Sequence, residues 1–145
     1  MKITVLGTPA TKGSMKCIGA RGGRGHQLVE DHKSTAPWRA KVKQAGEQAV
    51  AKLGSLDGPL AIDLTVTIAR PASVKPEARP WPITRNTGDV DKYARLIFDA
   101  LDDAGLYGDD SQIVTCTTSK CYPDTPGALD RLDRPGVVIR IEQIQ

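Results

Sequence analysis

The sequence is poor in aromatic residues. One Phe, two Trp and three Tyr in 145 positions leave aliphatic side chains to build the core. Cysteine is also scarce. Cys17, Cys116 and Cys121 are odd in number and too thinly spread for a disulfide scaffold. Cys116 and Cys121 with His26 and His32 match the spacing of no common zinc finger. No run of ~18 apolar residues occurs, so no membrane span is expected. The opening Met-Lys-Ile-Thr-Val-Leu-Gly turns polar at once, which reads as a short strand and not as an export signal. The expectation is a cytoplasmic protein with reduced thiols.

What is present fits a single domain over residues 1–145, long enough to bury a core without staples. A charged fraction of 26% with ordinary hydrophobic content argues against global disorder. The charge is unevenly spread. Residues 1–56 carry ten Lys/Arg against Glu30, Asp31 and Glu47, a net of +7. Residues 57–145 carry ten Lys/Arg against fourteen acids, a net of −4. A basic first part beside an acid-rich second part suits a protein that attracts a polyanion and coordinates a cation next to it.

The pattern along the chain predicts two helices and several strands. Residues 2–6 read as a strand, and residues 7–33, rich in Gly and Lys/Arg, as an irregular hairpin or loop. Ser34 or Thr35 is placed to cap a helix with Pro37 in its first turn. Its apolar stripe is Trp38, Val42, Ala45, Ala49 and Leu53, ended by Gly54. Leu60, Ile62, Leu64, Val66 and Ile68 alternate with smaller or polar residues, a strand with one buried face. Pro71, Pro76, Pro80 and Pro82 punctuate a loop whose length suggests function or disorder. A second helix is expected from about Val90 to Asp103, then strands near Gln112–Tyr122 and Val137–Ile144. The order predicts an α+β fold: a mixed sheet of about four to five strands with two main helices packed on it.

The chemistry concentrates in residues 89–113. Asp89 and Asp91 stand two apart, a spacing that points side chains about 200° apart inside a helix. At a helix start, Asp89 can lie outside while Asp91 occupies the first turn, and both can face one site. Taken alone, Asp89 reads more readily as a plain N-cap. Asp109 and Asp110 crowd two like charges into a turn, which a bound cation would relieve. A hard cation such as Mg²⁺ takes oxygen ligands of this kind. An EF-hand does not fit, since its sixth and twelfth positions would be Ala94 and Ala100. Arg95 lies one turn after Asp91, placed to meet a phosphate or to pair with Asp91 or Asp99. Asp99, Asp102 and Asp103 read as solvated helix residues. The helix is about 20 Å long, and six or seven extended residues return roughly 20 Å. Asp110 could thus meet Asp89 within one chain, or the carboxylates could meet across a dimer interface.

Asp89-x-Asp91, a basic residue at Arg95, Phe98-Asp-Ala-Leu101, then Ala104-Gly-x-x-x-Asp109-Asp110-x-Gln112-Ile113 resembles the RusA family of Holliday junction resolvases. The strong match covers about 25 residues. The opening strand followed by Gly7-x-Pro9 and lysines is a weaker second point. The resemblance implies Asp89, Asp91 and Asp110 as essential carboxylates, with Asp109 contributing. It implies a homodimer that cuts a four-way junction by paired nicks in DNA recombination or repair, and an origin in a phage or prophage. Mg²⁺ is the expected cofactor, with Mn²⁺ as its substitute. Two positions depart from the family pattern: Lys92 stands where Asn is usual, and Arg95 where Lys is usual. Arg keeps the charge but changes the geometry.

Phosphodiester hydrolysis is therefore expected from Asp89, Asp91, Asp110 and Arg95. Metal would lie at Asp89, Asp91, Asp109 and Asp110, and Lys12, Lys16, Arg21, Arg24 and Lys92 would grip DNA phosphates. Trp81 either packs on its own loop or wedges against a base. A non-catalytic protein that binds branched DNA is a competing reading, as is a metal-dependent nuclease for other DNA structures.

Overall fold

A computed structural model describes residues 1–12, 15–20, 26–30 and 32–145; of residues 15–20, 26–30 and 32 it describes the backbone alone. The elements are β1 (Lys2–Leu6), β2 (Met15–Ala20), β3 (His26–Glu30), α1 (His32–Leu53), β4 (Leu60–Thr67), α2 (Val90–Asp103), β5 (Ile113–Cys121) and β6 (Gly136–Gln143). Short 3-10 turns at Arg85–Thr87 and Asp110–Gln112 precede α2 and β5. Four strands form one mixed sheet in the order β1-β6-β4-β5, and β2 and β3 form a separate antiparallel ribbon. The α+β class and the bounds of α2 match the sequence expectation. The ribbon supplies the hairpin expected between residues 7 and 33.

The sheet is held by matched rows. Val5 faces Val137, and Val137 faces Val66; Ile3 faces Ile139, and Ile139 faces Leu64. Residues directly opposite lie on the same face of a sheet, so these rows make one apolar surface. It is buried in a single core with Trp38 and Val42 of α1 and Leu96, Ile97, Ala100 and Leu101 of α2. β4 pairs antiparallel with β6 but parallel with β5. Parallel neighbours need a long crossover, and here the crossover is the Pro-rich loop plus α2.

That loop is organised by Arg70. Its guanidinium donates to both Asp124 carboxylate oxygens at 2.7–3.1 Å and to the Arg79 carbonyl at 2.6 Å, and sits 4.0 Å over the Tyr122 ring. Thr125 Oγ1 donates to the Pro80 carbonyl at 2.7 Å. The fork geometry of arginine makes such simultaneous contacts favourable.

Three details of α1 differ from expectation. The helix begins at His32, ahead of Ser34 and Thr35, so neither is its cap. Thr35 is instead buried, its hydroxyl 3.5 Å from the Thr11 carbonyl. Pro37 consequently falls in the second turn, where it removes one backbone hydrogen bond. Leu53, read as part of the apolar stripe, is 68% exposed because the helix runs past the core at its end. Gly46 lies where α1 meets α2: a Cβ there would stand 2.8 Å from Ala104 Cβ. No described helix is long and apolar enough to cross a membrane.

Truncating Leu64, fully enclosed on the central strand, to Ala should cost about 2–5 kcal/mol, whereas Leu53→Ala should stay within about 0.5 kcal/mol. Urea unfolding of both variants checks the contrast; equal losses would contradict the placement of the core.

Candidate active site

Asp89 is the N-cap of α2 in extended backbone, but its side chain caps no amide. Its main-chain carbonyl accepts from the amides of Lys92 and Tyr93 at 3.1 and 3.2 Å. The carboxylate is free of the backbone and lies 3.3 Å from Lys92 Nζ. Asp91 is exposed in the first helical turn. Both negative charges gain from the positive end of the helix dipole. Arg95 is exposed one turn further on, and no ion pair found among the described residues uses it.

The turn before Asp89 is built tightly. Gly88 has φ +78°, and a Cβ there would come within 2.8 Å of Tyr93 Oη and 2.9 Å of Thr11 Cγ2. Only glycine meets both demands without strain. The Tyr93 hydroxyl donates to the Thr87 carbonyl at 2.7 Å. Burial, and after it the charge of Asp89, pushes that hydroxyl up to about 12, so it remains a donor at neutral pH. Thr87 Oγ1 donates to the Thr84 carbonyl at 2.7 Å.

Asp109 and Asp110 have diverged although they are neighbours. Asp109 accepts from the Ser111 amide at 2.7 Å, and Gln112 Oε1 accepts from the Gly108 and Asp109 amides at 2.7 and 3.3 Å. This is a capping box. The Ser111 hydrogen bonds hold the Asp109 carboxyl below the usual carboxylate range. Asp109 thus has a structural role that explains its presence in the turn. No backbone hydrogen bond acts on Asp110 in this way. Its Oδ1 is buried with no hydrogen-bond partner. The Tyr107 hydroxyl lies alongside, but it donates to the Phe98 carbonyl at 2.8 Å. Burial first, then the charges of Asp102 and Asp109, push the Asp110 carboxyl above the usual range, with Lys12 and the Tyr107 hydroxyl opposing.

The two halves of the expected carboxylate set lie apart in one chain. Lys120, near the end of β5, donates to the Gly88 carbonyl at 2.6 Å, so the Asp89 turn stands beside the end of β5. Asp110 stands just ahead of its beginning. From Ile113 to Lys120 a strand covers about 23 Å. Asp102, whose charge bears on Asp110, lies eleven helical residues beyond Asp91, about 16 Å along the axis. Among the described residues no three His, Cys, Asp or Glu side chains form a metal-holding group. The return from α2 thus leaves Asp110 at the far end of the helix.

Other expected residues fall as follows. Lys12 pairs with Asp99 and Arg39 with Asp103, so these two acids are ion-paired and not simply solvated. Lys92 pairs with Asp89. Arg21 and Arg24 lie outside the described residues, as does the side chain of Lys16 in β2. The side chains of His26 and His32 lie outside them too; Cys116 is exposed and Cys121 buried. Trp81 is 43% exposed beside a groove with Thr65, Thr117 and Leu129. Lys120 was not singled out by sequence, because its partners are loop oxygens far away in the chain.

The RusA endodeoxyribonuclease family profile matches residues 8–142. The chain belongs to the RusA family. The match spans both carboxylate clusters, the Pro-rich loop and most of the sheet. The family is one of endodeoxyribonucleases, so this RusA chain is placed among the nuclease hydrolases. Among curated proteins none matches it.

The raised Asp110 carboxyl has a consequence for stability. The folded state holds that proton more tightly than the unfolded chain does, so stability falls as pH rises through the carboxylate range. In EDTA at pH 7, Asp110→Asn should therefore melt a few degrees higher than the wild type. The gain should vanish below the usual carboxylate range, where Asp110 is protonated in both states. A variant that melts lower at pH 7 would show that the Asp110 charge is compensated.

Proposed function

We propose that this RusA-family chain is a Mg²⁺-dependent endonuclease that resolves Holliday junctions in DNA recombination or repair. The observation that carries the reading is Asp110: a carboxylate beside other acids, with a buried oxygen that no protein donor satisfies. Such a group is costly to keep without a cation. The donor set is all carboxylate, which fits a hard ion of the Mg²⁺ or Mn²⁺ type.

Asp89, Asp91 and Asp110 would hold the ion, while Asp109 serves mainly its own turn. Separation of the two carboxylate groups along α2 favours assembly in a two-fold homodimer, with Asp89 and Asp91 from one protomer and Asp110 from its partner. A two-fold dimer has two equal sites, which suits paired cuts on opposite arms of a junction. Bound Mg²⁺ supplies charge stabilisation at the phosphoryl oxygens and a nucleophile at neutral pH. Arg95, exposed on the Asp91 side of α2, neutralises the charge that builds up on the phosphate. Lys92, now paired with Asp89, would be free to meet a DNA phosphate in a loaded site. The basic stretch around Lys16, Arg21 and Arg24 grips the arms.

Cleavage of a labelled four-way junction with and without Mg²⁺ tests the activity. Wild type should make paired nicks, and Asp91→Asn should bind the junction without cutting it. Binding by wild type with no cutting under any divalent ion would instead favour a branched-DNA-binding protein. Preferential cutting of flaps or linear duplex would point to a nuclease for other structures. Mixing tests the shared site: Asp91→Asn and Asp110→Asn protomers should each be inactive alone. A mixed dimer should regain one working site and nick one strand. No recovery on mixing would place all three carboxylates in one chain.

A further inference from the structure

Lys120 stands where the rest of its row is apolar. Across the sheet, Val5 faces Val137, Val137 faces Val66, and Val66 faces Lys120. An ammonium at the end of a buried row is costly unless polar atoms meet it. Two do. Lys120 Nζ donates to the Gly88 carbonyl at 2.6 Å and to Thr87 Oγ1 at 3.0 Å. None of the ion pairs found among the described residues involves it. Its bonding is therefore directed at one object, the turn that precedes Asp89.

The same turn is held from its other side. Tyr93 Oη donates to the Thr87 carbonyl, and the space above Gly88 is closed by Tyr93 and Thr11. Without Lys120, the turn would keep the Tyr93 clamp and the Thr11 contact but lose its hydrogen bonds to β5. A long unbranched stem is what spans the distance from a strand to a loop, and lysine carries rotatable donors at its tip. A partner that orients ligands in this way governs metal affinity as the ligands do.

We propose that Lys120 is a positioning residue that locks the Thr87–Gly88 turn to β5, so that Asp89 and Asp91 converge on one cation. The role assigned to the carboxylates rests on the nuclease reading above; the locking of the turn does not. Lys120→Met keeps the stem and removes the donors and the charge. In the full-length protein it should speed amide hydrogen exchange at residues 87–93 while leaving β4 and β6 protected. Mn²⁺ affinity, followed by electron paramagnetic resonance, should weaken by about 10–100-fold. Lys120→Arg should recover part of both, and junction binding in EDTA should be unchanged.

Unchanged exchange at residues 87–93 in Lys120→Met would overturn the lock. Faster exchange there with unchanged Mn²⁺ affinity would overturn its link to the carboxylates. Acceleration spread equally over β4 and β6 would make Lys120 a core residue and also overturn the proposal. If wild type neither binds Mn²⁺ nor cuts branched DNA, the nuclease reading fails, and exchange at residues 87–93 still decides whether Lys120 holds the turn.

Discussion

The parallel pairing of β4 with β5 is the constraint from which the rest of the arrangement follows. Two strands that run the same way cannot be joined by a tight turn. The chain has to leave the end of β4, travel back beside the sheet, and re-enter at the start of β5. α2 is that return path, and its two ends therefore lie at opposite ends of the strands. Asp89 and Asp91 occupy one end and Asp110 the other. The apolar face of α2, with Leu96, Ile97 and Leu101 buried, fixes the helix against the strands. Sliding it to bring the carboxylates together would expose that face. In the proposed homodimer a second protomer unites them without that loss.

Asp109 and Asp110 show how neighbouring residues of one type acquire different chemistry. One accepts from the Ser111 hydroxyl and amide and is held ionised by them. The other faces a tyrosine already engaged elsewhere and the charges of two acids. Environments that push like groups apart are characteristic of sites where charge is put to use. The unsatisfied oxygen of Asp110 is a local sacrifice of stability, of the kind that proteins retain where binding requires it. Lys12 tempers the same region from across α2, since it pairs with Asp99 and acts on Asp110. A lysine expected to meet DNA thus also serves the acid cluster. Its interaction with phosphate would compete with that role.

Much of this was legible in the residues alone. The 3.6-residue period of Leu96, Ile97, Ala100 and Leu101, opened by Asp89 and closed by Gly105, marks α2 unambiguously. The strict alternation from Leu60 to Val66 does the same for β4. What local pattern does not carry is how strands pair, and the separation of Asp89 from Asp110 depends on that pairing alone. Chain reach allowed the two to meet; the crossover sends them apart. Lys120 and Arg70 were hidden for a related reason. Lys120 binds the Thr87–Gly88 turn and Arg70 the Asp124 carboxylate, both far away in the chain, and both also use backbone carbonyls, which leave no side-chain signature. Leu53 fits a helical stripe, yet periodicity does not tell where the neighbouring helix and sheet end.

Arg70 has a further consequence for how the loop can change over time. It fastens the chain at Arg79 and Pro80, while the Thr87–Gly88 turn is fastened independently next to α2. The residues from Pro71 to Glu77 lie outside both fastenings and are almost all exposed. Lengthening a surface segment of this sort carries only a small entropic cost. A lineage could thus remodel this stretch without disturbing the turn that carries Asp89. A fixed turn and a replaceable stretch occupy adjoining but separable parts of one loop.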